Sequence, residues 1–479
     1  MKKTKILILT DSPKIHTGLG GNCREVFKTL LAKYPDKYEI QQLGWFNFGG
    51  QENVPWPVHN TNIIKKPDGN ADMDHEDRYG QKTFEAVRAQ FNPDIVWSAG
   101  DLWCFTHMLN SPTRNLFRLA LYYTIDGAPY FGTVLEPNRK SEWGSLLSRA
   151  DEVVVWSEFG QKVLQDSCPE LKNRDVKVIY HPAQPDLFKT LTPEQKKAER
   201  NRLYTGQIPK EAFILGYIGR NQFRKQNYKM WEVLHYVKHG DYIECQDCDR
   251  ITVKEFDWCT QKPKSSGDLF MYEQGYDYKN CWYCRSANIV PGKPTSDILL
   301  WQHMNRTDPG YNYPLHAKMW DIEDRVIISG ALNSTTGLSP QQLASIIPTW
   351  DGLIYLSGGE GFGIPAFEAQ QCGLPIIYTN YSSHMDFAKH GGLPVRCSFI
   401  PEFAFAINRA IADTGDTVKQ IMWAYRNRDK FAQLGLQGSQ FAATKTPESI
   451  VEQWDDLFTK MMLKPLAVNG SKQIYATTL

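Results

Sequence analysis

Short apolar, β-rich runs recur down this chain, each closing on a polar or glycine-bearing turn and each separated from the next by a helix-length stretch. The first series comprises Lys5–Thr10 (KILILT), Asp94–Ser98, Leu119–Ile125, Glu152–Trp156 and Val176–Tyr180. A chain that alternates strand and helix in this way folds as a parallel sheet with helices on both faces. Ligands of such sheets bind outside the carboxyl ends of the strands. Turn chemistry and two prolines break the pattern after Tyr180, and the stretch 185–207 reads as a boundary.

A second series then begins with Ala212–Ile218, the turn Gly219–Gln226 and a helix over 227–238. It continues through Asp297–Trp301, Arg325–Ser329, Gly352–Leu356 and Leu374–Tyr378. The expected fold class is therefore α/β, with two doubly wound, Rossmann-like domains at 1–188 and 207–446. Residues 239–295 lack the βα rhythm and read as an inserted module of the second domain. A last amphipathic helix at about 447–462 is expected to pack back on the first domain, followed by a frayed tail over 464–479.

With 479 residues and 42% hydrophobic content, the chain can bury two cores. Its 54 basic and 53 acidic residues leave a net charge of +1, which excludes a protein that coats nucleic acid by charge alone. No run approaches the roughly 20 apolar residues of a membrane span. The start, MKKTKILILTDSP, has an apolar core too short for a signal peptide, so a cytoplasmic location is expected.

The most specific segment is Ser357–Pro375, SGGEGFGIPAFEAQQCGLP. A strand enters a glycine-rich turn that opens a helix near Ile364. Free amides at a helix start favour anionic phosphates, and glycines let a ligand approach the backbone closely. Glu360 lies on the turn and Glu368 eight positions later on the helix, and a carboxylate accepts two hydroxyls of a sugar or ribose diol. The segment closely resembles the E-x7-E loop of retaining GT-B glycosyltransferases, the class that includes glycogen and sucrose synthases. That resemblance implies a two-domain GT-B fold facing a cleft. Glu360 would contact the donor sugar and Glu368 the donor ribose, with Gly361, Phe362, Gly363 and Ile364 supplying loop amides. Gly219-Arg220 followed by Lys225 is similar to the family's Arg/Lys pair, whose fixed cations stabilise a departing diphosphate. The landmarks Ser157–Gly160 and His181–Asp186 fit too, as does DRVIISG (Asp324–Gly330), whose end at Gly330 meets the nucleobase in the family.

On the other side, His16–Gly21 resembles the family's glycine loop, placing Gly18, Gly20 and Gly21 near the diphosphate and His16 on the acceptor side. Its spacing does not fit G-x-G-x-x-G, which argues against a nicotinamide oxidoreductase. Many relatives carry a histidine where this chain has Asp126; a carboxylate there could stabilise positive charge at the anomeric carbon. Asp101 is a second acceptor-side candidate, and His384 is a further polar residue near the donor loop. The mechanism implied by the resemblance needs no catalytic metal.

Five of the ten cysteines lie within the insert, and Cys245-x2-Cys248 and Cys281-x2-Cys284 form two CxxC pairs. Two such pairs signal a tetrahedral, closed and structural zinc site, with Cys259 and His239 as alternative ligands. The module carries nine acidic residues against seven basic between 241 and 293, which weakens phosphate-backbone binding. Its aromatics, Trp258, Tyr272, Tyr276, Trp282 and Tyr283, still offer stacking faces.

The expected activity is transfer of a sugar from a nucleotide-diphosphate sugar to an acceptor hydroxyl on a sugar or glycan, with retention implied by the resemblance. A hydroxymethylated base in DNA or RNA is the rival acceptor, and a non-catalytic sugar-nucleotide-binding protein the rival class. Donor base, sugar and oligomeric state are not encoded in any motif.

Overall fold

A computed structural model describes the chain except residues 1, 16, 47–53, 66–70, 131–141, 205–207, 210, 255, 258–261, 264–278, 306–307, 330–337, 403–406 and 467–479. Contacts divide the chain into two compact units: 1–182 with 403–406 and 445–479, and 183–402 with 407–444.

The first unit is built on β1 (Thr4–Asp11), α1 (Gly18–Lys33), β2 (Tyr38–Trp45), β3 (Val58–Asn60), β4 (Ile95–Gly100), α2 (Leu102–Leu109), β5 (Arg118–Tyr123), β6 (Glu152–Val155), α3 (Glu158–Ser167) and β7 (Lys177–Val178). Its strands form one seven-stranded parallel sheet in the order β3-β2-β1-β4-β5-β6-β7. Ile6 lies in register with both Ile40 and Ile95, so apolar residues of neighbouring strands meet in one buried layer. Strand order reverses between β1 and β4, and a crevice opens at such a point.

The second unit repeats this plan. Its principal elements are β8 (Phe213–Ile218), α4 (Asn227–His239), β9 (Tyr242–Cys245), β10 (Ile251–Val253), β11 (Ile289–Pro291), β12 (Ile298–His303), β13 (Val326–Ile328), β14 (Gly352–Tyr355), α5 (Ile364–Gln371), β15 (Ile376–Thr379), β16 (Gly392–Val395), β17 (Cys397–Glu402), β18 (Ile407–Ala412), α6 (Thr414–Arg426) and α7 (Arg428–Ala443). Six strands make a parallel sheet in the order β13-β12-β8-β14-β15-β16, whose reversal falls between β8 and β14. The insert adds a small antiparallel sheet, β10-β9-β11. It is anchored on α6, where Arg426 forks onto Glu244 at 2.9 and 2.5 Å and Lys419 pairs with Asp249. The hairpin β17–β18 is a separate two-stranded element.

The last helix, α8 (Pro447–Leu463), belongs to the first unit. Thr446 caps it by accepting from the Ser449 amide at 3.1 Å. Its Trp454 is fully buried against Trp97 and Tyr122, with ring centroids 5.7 and 5.0 Å away, and the Tyr38 hydroxyl donates to Asp455 at 2.6 Å. Truncation of a buried indole loses its transfer free energy and leaves a cavity. Trp454→Ala is expected to cost the first unit about 3–5 kcal/mol, measured by urea unfolding followed through near-ultraviolet circular dichroism.

Candidate functional site

The reversal point of the second unit's sheet gathers three backbone segments. The turn after β8 runs from Gly219 to Gln226, the glycine loop after β14 from Ser357 to Gly363, and β18 lies against both. The Gly358 amide donates to Arg224 O at 2.7 Å, and the Ala410 amide donates to Gly358 O at 3.0 Å. A Cβ on Gly358 would fall 2.6 Å from Ala410 O, so only glycine allows this approach. Gln226 stitches the first segment to the third: its Nε2 donates to Ala410 O at 2.7 Å and its Oε1 accepts from the Ala412 amide at 3.1 Å.

At the centre lies a buried ion pair between Lys225 and Glu360. Arg224 closes the other side. Its Nη1 donates to Gly359 O at 2.7 Å and stands 3.5 Å from Glu360 Oε2. Burial pushes the Glu360 carboxyl upward, but Lys225 and Arg224 outweigh it and hold the group well below the usual carboxylate range. The Ser382 hydroxyl fixes the loop by accepting from the Glu360 amide at 2.9 Å and donating to Glu360 O at 2.8 Å. Lys225 Nζ also lies 5.7 Å from the centroid of the buried Tyr355 ring.

Arg220 takes a different partner from Lys225. Its exposed guanidinium grips the buried Asp308 carboxylate through two bonds of 3.1 and 2.9 Å. Arg224, the residue that does reach Glu360, stands beside Lys225 in the same turn, and that adjacency was the signal the sequence reading passed over. Ser382 and Gln226 were likewise missed, because their roles depend on a fold that joins distant segments.

Gly363 has φ +98° and starts α5, with Gly361, Phe362 and Ile364 around it. Phe362 is buried against Phe367 and Phe387 rather than presented to solvent. Glu368 lies half-buried on α5, and burial pushes its carboxyl up to about 8. His384 is fully buried beneath Gly363; burial lowers its ring to about 4, and Nε2 lies 3.0 Å from Thr379 O, a structural setting. At the end of β13, Ser329 Oγ meets His303 Nδ1 at 2.8 Å, while Gly330 lies outside the described residues. Gly219 directly follows β8, with its amide donating to His303 O at 3.1 Å.

In the first unit, the expected glycine turn is instead the first turn of α1. The helix begins at Gly18, inside the stretch His16–Gly21 that the sequence presents as a loop. Thr17 overrides the low helix propensity of the glycines. Its Oγ1 accepts from the Gly20 amide at 3.1 Å and donates to Asp11 Oδ2 at 2.5 Å. Gly21 follows in the same turn, with its amide bonded to Thr17 O at 2.9 Å. Asp101 is the N-cap residue of α2 after β4, and Asp126 follows β5. Both are half-buried at the carboxyl ends of adjacent parallel strands, on the rim that holds Asp11. His16 lies outside the described residues.

Cys245, Cys248, Cys281 and Cys284 bring their sulfurs within 4.8 Å of one another, with the 245–284 and 248–281 pairs at 3.5 Å. A tetrahedral ion with Zn–S bonds of about 2.3 Å needs sulfurs roughly 3.8 Å apart, so the donor set fits zinc. The two knuckles repeat one hydrogen-bond pattern. The amides of Asp249 and Arg285 donate to Cys245 O at 3.1 Å and Cys281 O at 2.9 Å, and both residues have positive φ, 54° and 61°. The amides of Cys245 and Cys281 in turn donate to Arg250 O and Ser286 O at 2.9 and 2.7 Å. His239 is instead 3.1 Å from Asp321, while Cys259, Trp258, Tyr272 and Tyr276 lie outside the described residues. Tyr283 and Trp282 are covered by Arg250 and Arg285, 4.4 and 4.9 Å from their ring centroids.

Residues 321–428 match the family described as glycosyl transferases group 1. The fold is shared with a sucrose-phosphate synthase from Thermosynechococcus elongatus (13% identity, 96% of this chain and 99% of that chain, TM-score 0.62). It is also shared with the catalytic domain of starch synthase IV from Arabidopsis thaliana, bound to ADP and acarbose (12%, 97% and 100%, TM-score 0.60). A third is the pneumococcal O-GlcNAc transferase GtfA, in complex with UDP and GlcNAc (11%, 97% and 100%, TM-score 0.55). No curated protein matches at the sequence level. The chain has the GT-B fold, and most of the stretch that matches the glycosyl transferases group 1 family lies in its second unit. Among the described residues no helix is long and apolar enough to cross a membrane.

Two outcomes test the site. Burial raises the Glu368 carboxyl in the folded form, so raising the pH from the ordinary carboxylate value of about 4.3 towards about 8 withdraws stability. Glu368→Gln should therefore raise the melting temperature at pH 7.5 and leave it unchanged at pH 4, as read by scanning calorimetry. The purified chain should carry one zinc ion by atomic emission, and Cys281→Ser should lose it together with the cooperative melting of the second unit.

Proposed function

We propose that this chain is a retaining glycosyltransferase that moves a hexosyl group from a nucleotide-diphosphate sugar to a hydroxyl of a sugar or glycan acceptor. The observation that carries the reading is the Lys225–Glu360 pair, flanked by Arg224 and by glycine-loop amides at the sheet's reversal point. It is supported by the group 1 match over 321–428 and by the ADP and UDP bound in two structures of the same fold.

In this reaction the bond between the anomeric carbon and the phosphate oxygen breaks, and its electron pair leaves on the diphosphate. Arg220, Lys225 and Arg224 surround that developing charge with fixed cations, and the amides of Gly361 and Gly363 orient it. Glu360 holds a sugar hydroxyl and Glu368 the ribose diol. The acceptor oxygen bonds to the anomeric carbon on the face the diphosphate leaves, and its proton passes to the departing phosphate. The first unit's contribution is the glycine-bearing amino end of α1, where the Gly20 and Gly21 amides are held by Thr17 and let the backbone come close to a ligand, and the carboxylates of Asp126 and Asp101 for the acceptor side.

Cys245, Cys248, Cys281 and Cys284 would hold zinc as a structural ion, with no position left for substrate. Its part is to lock the two knuckles against each other, which fixes β9 and the contacts of Glu244 and Asp249 with α6.

A panel of nucleotide sugars with neutral glycan acceptors, read by mass spectrometry, tests the activity. Arg220→Ala and Lys225→Ala should lower kcat by about a hundredfold, whereas Glu368→Ala should chiefly raise the donor Kd. Unchanged turnover in the first two variants removes their assignment to the leaving group.

A further inference from the structure

The second unit exposes two phenylalanines beside the proposed donor site. Phe223 is 66% exposed and lies two residues before Lys225; Phe399 is 54% exposed on β17. Large apolar side chains displayed next to a polar site are informative, because exposure leaves their hydrophobic contribution unused. Both are held in place. Phe223 packs edge-on against Tyr311 at 5.0 Å, and Phe399 packs edge-on against Tyr381 at 5.0 Å. The Tyr381 hydroxyl donates to Asn408 O at 2.9 Å, and the next residue, Ser382, holds Glu360.

Backbone hydrogen bonds tie the segments that carry these two rings to the glycine loop. Arg224, next to Phe223, accepts the Gly358 amide, and Gly358 O accepts the amide of Ala410, the register partner of Phe399. Charge narrows the occupant. Beyond the cations assigned to the diphosphate, Lys229 and Arg409 along this wall are matched by Glu232 and Glu402. A polyanion gains little from cations already neutralised in this way. A neutral pyranose ring suits it better, since its C–H face is apolar and its hydroxyls remain free to meet the polar groups alongside.

We propose that Phe223 and Phe399 form a stacking platform for pyranose rings of an uncharged glycan acceptor. This rests on the donor-site reading above and assigns these residues a binding role, with no part in the bond-breaking step.

The full-length protein, titrated by calorimetry and saturation-transfer NMR with maltoheptaose, chitohexaose and mannohexaose in the presence of UDP or ADP, tests it. At least one oligosaccharide should bind. Phe223→Ala and Phe399→Ala should each weaken it about tenfold, nucleotide affinity should stay within twofold, and Phe223→Trp and Phe399→Tyr should recover binding. Circular dichroism of the alanine variants guards against misfolding. Failure of all three oligosaccharides to bind the wild type overturns the platform, as does full oligosaccharide affinity in both alanine variants. A parallel loss of nucleotide affinity also overturns it, by moving the rings to the donor subsite, and so does salt-sensitive binding of duplex DNA that both variants abolish. Absence of nucleotide binding in the wild type sinks the donor reading instead, and the oligosaccharide titration, repeated without nucleotide, still decides the platform.

Discussion

One buried contact organises the second unit: the ammonium of Lys225 against the carboxylate of Glu360. Taking both charges out of water costs several kcal/mol per ion, which only close geometry and further hydrogen bonds offset. Here Arg224 adds a second cation 3.5 Å from Glu360 Oε2, and the Ser382 hydroxyl pins the Glu360 backbone. The pairing keeps the turn after β8 and the loop after β14 in one register, so the amides and cations at this point are fixed before any ligand arrives. Its sign with pH follows from the depressed carboxyl. The stabilisation is fully present above the ordinary carboxylate range and is lost as pH falls through the folded-state value.

The cysteine module is tied to this contact through α4. That helix begins at Asn227, directly after Gln226, and ends at a left-handed Gly240 from which β9 starts. Along its length Lys229 donates to Thr414 at the start of α6. The module grips α6 a second time through Glu244 and Asp249. The insert therefore ties together the far ends of two helices whose near ends carry Lys225 and, through β18, the partners of Gln226.

Much of this was legible in the sequence, for physical reasons that differ by element. The central strands of both units read clearly because both faces are buried and the runs are continuously apolar. β2 escaped notice because it carries polar residues inside. Gln42 is fully buried, its amide spent on Asp11 O and its carbonyl on Trp56. The start of α1 was hidden by glycines that a threonine cap overrules. The cysteine knuckles and the glutamate loop were readable as local motifs, since each needs only a few residues at fixed spacing. Arg224, Ser382 and Gln226 were not, since their function is created by segments more than a hundred residues apart or by a loop beyond the motif. The hairpin β17–β18 left no signal either, as β17 is exposed along most of its length and only β18 is buried.

The first unit is discontinuous: the indole that covers Trp97 and Tyr122 arrives only with Trp454. A ribosome adding about 5–20 residues per second needs on the order of half a minute to pass from Tyr122 to Trp454. Throughout that interval the nascent first sheet presents an uncovered aromatic face while the intervening unit is already free to collapse. Synthesis of this chain thus has an inherent vulnerable period, in which that apolar face is open to wrong association.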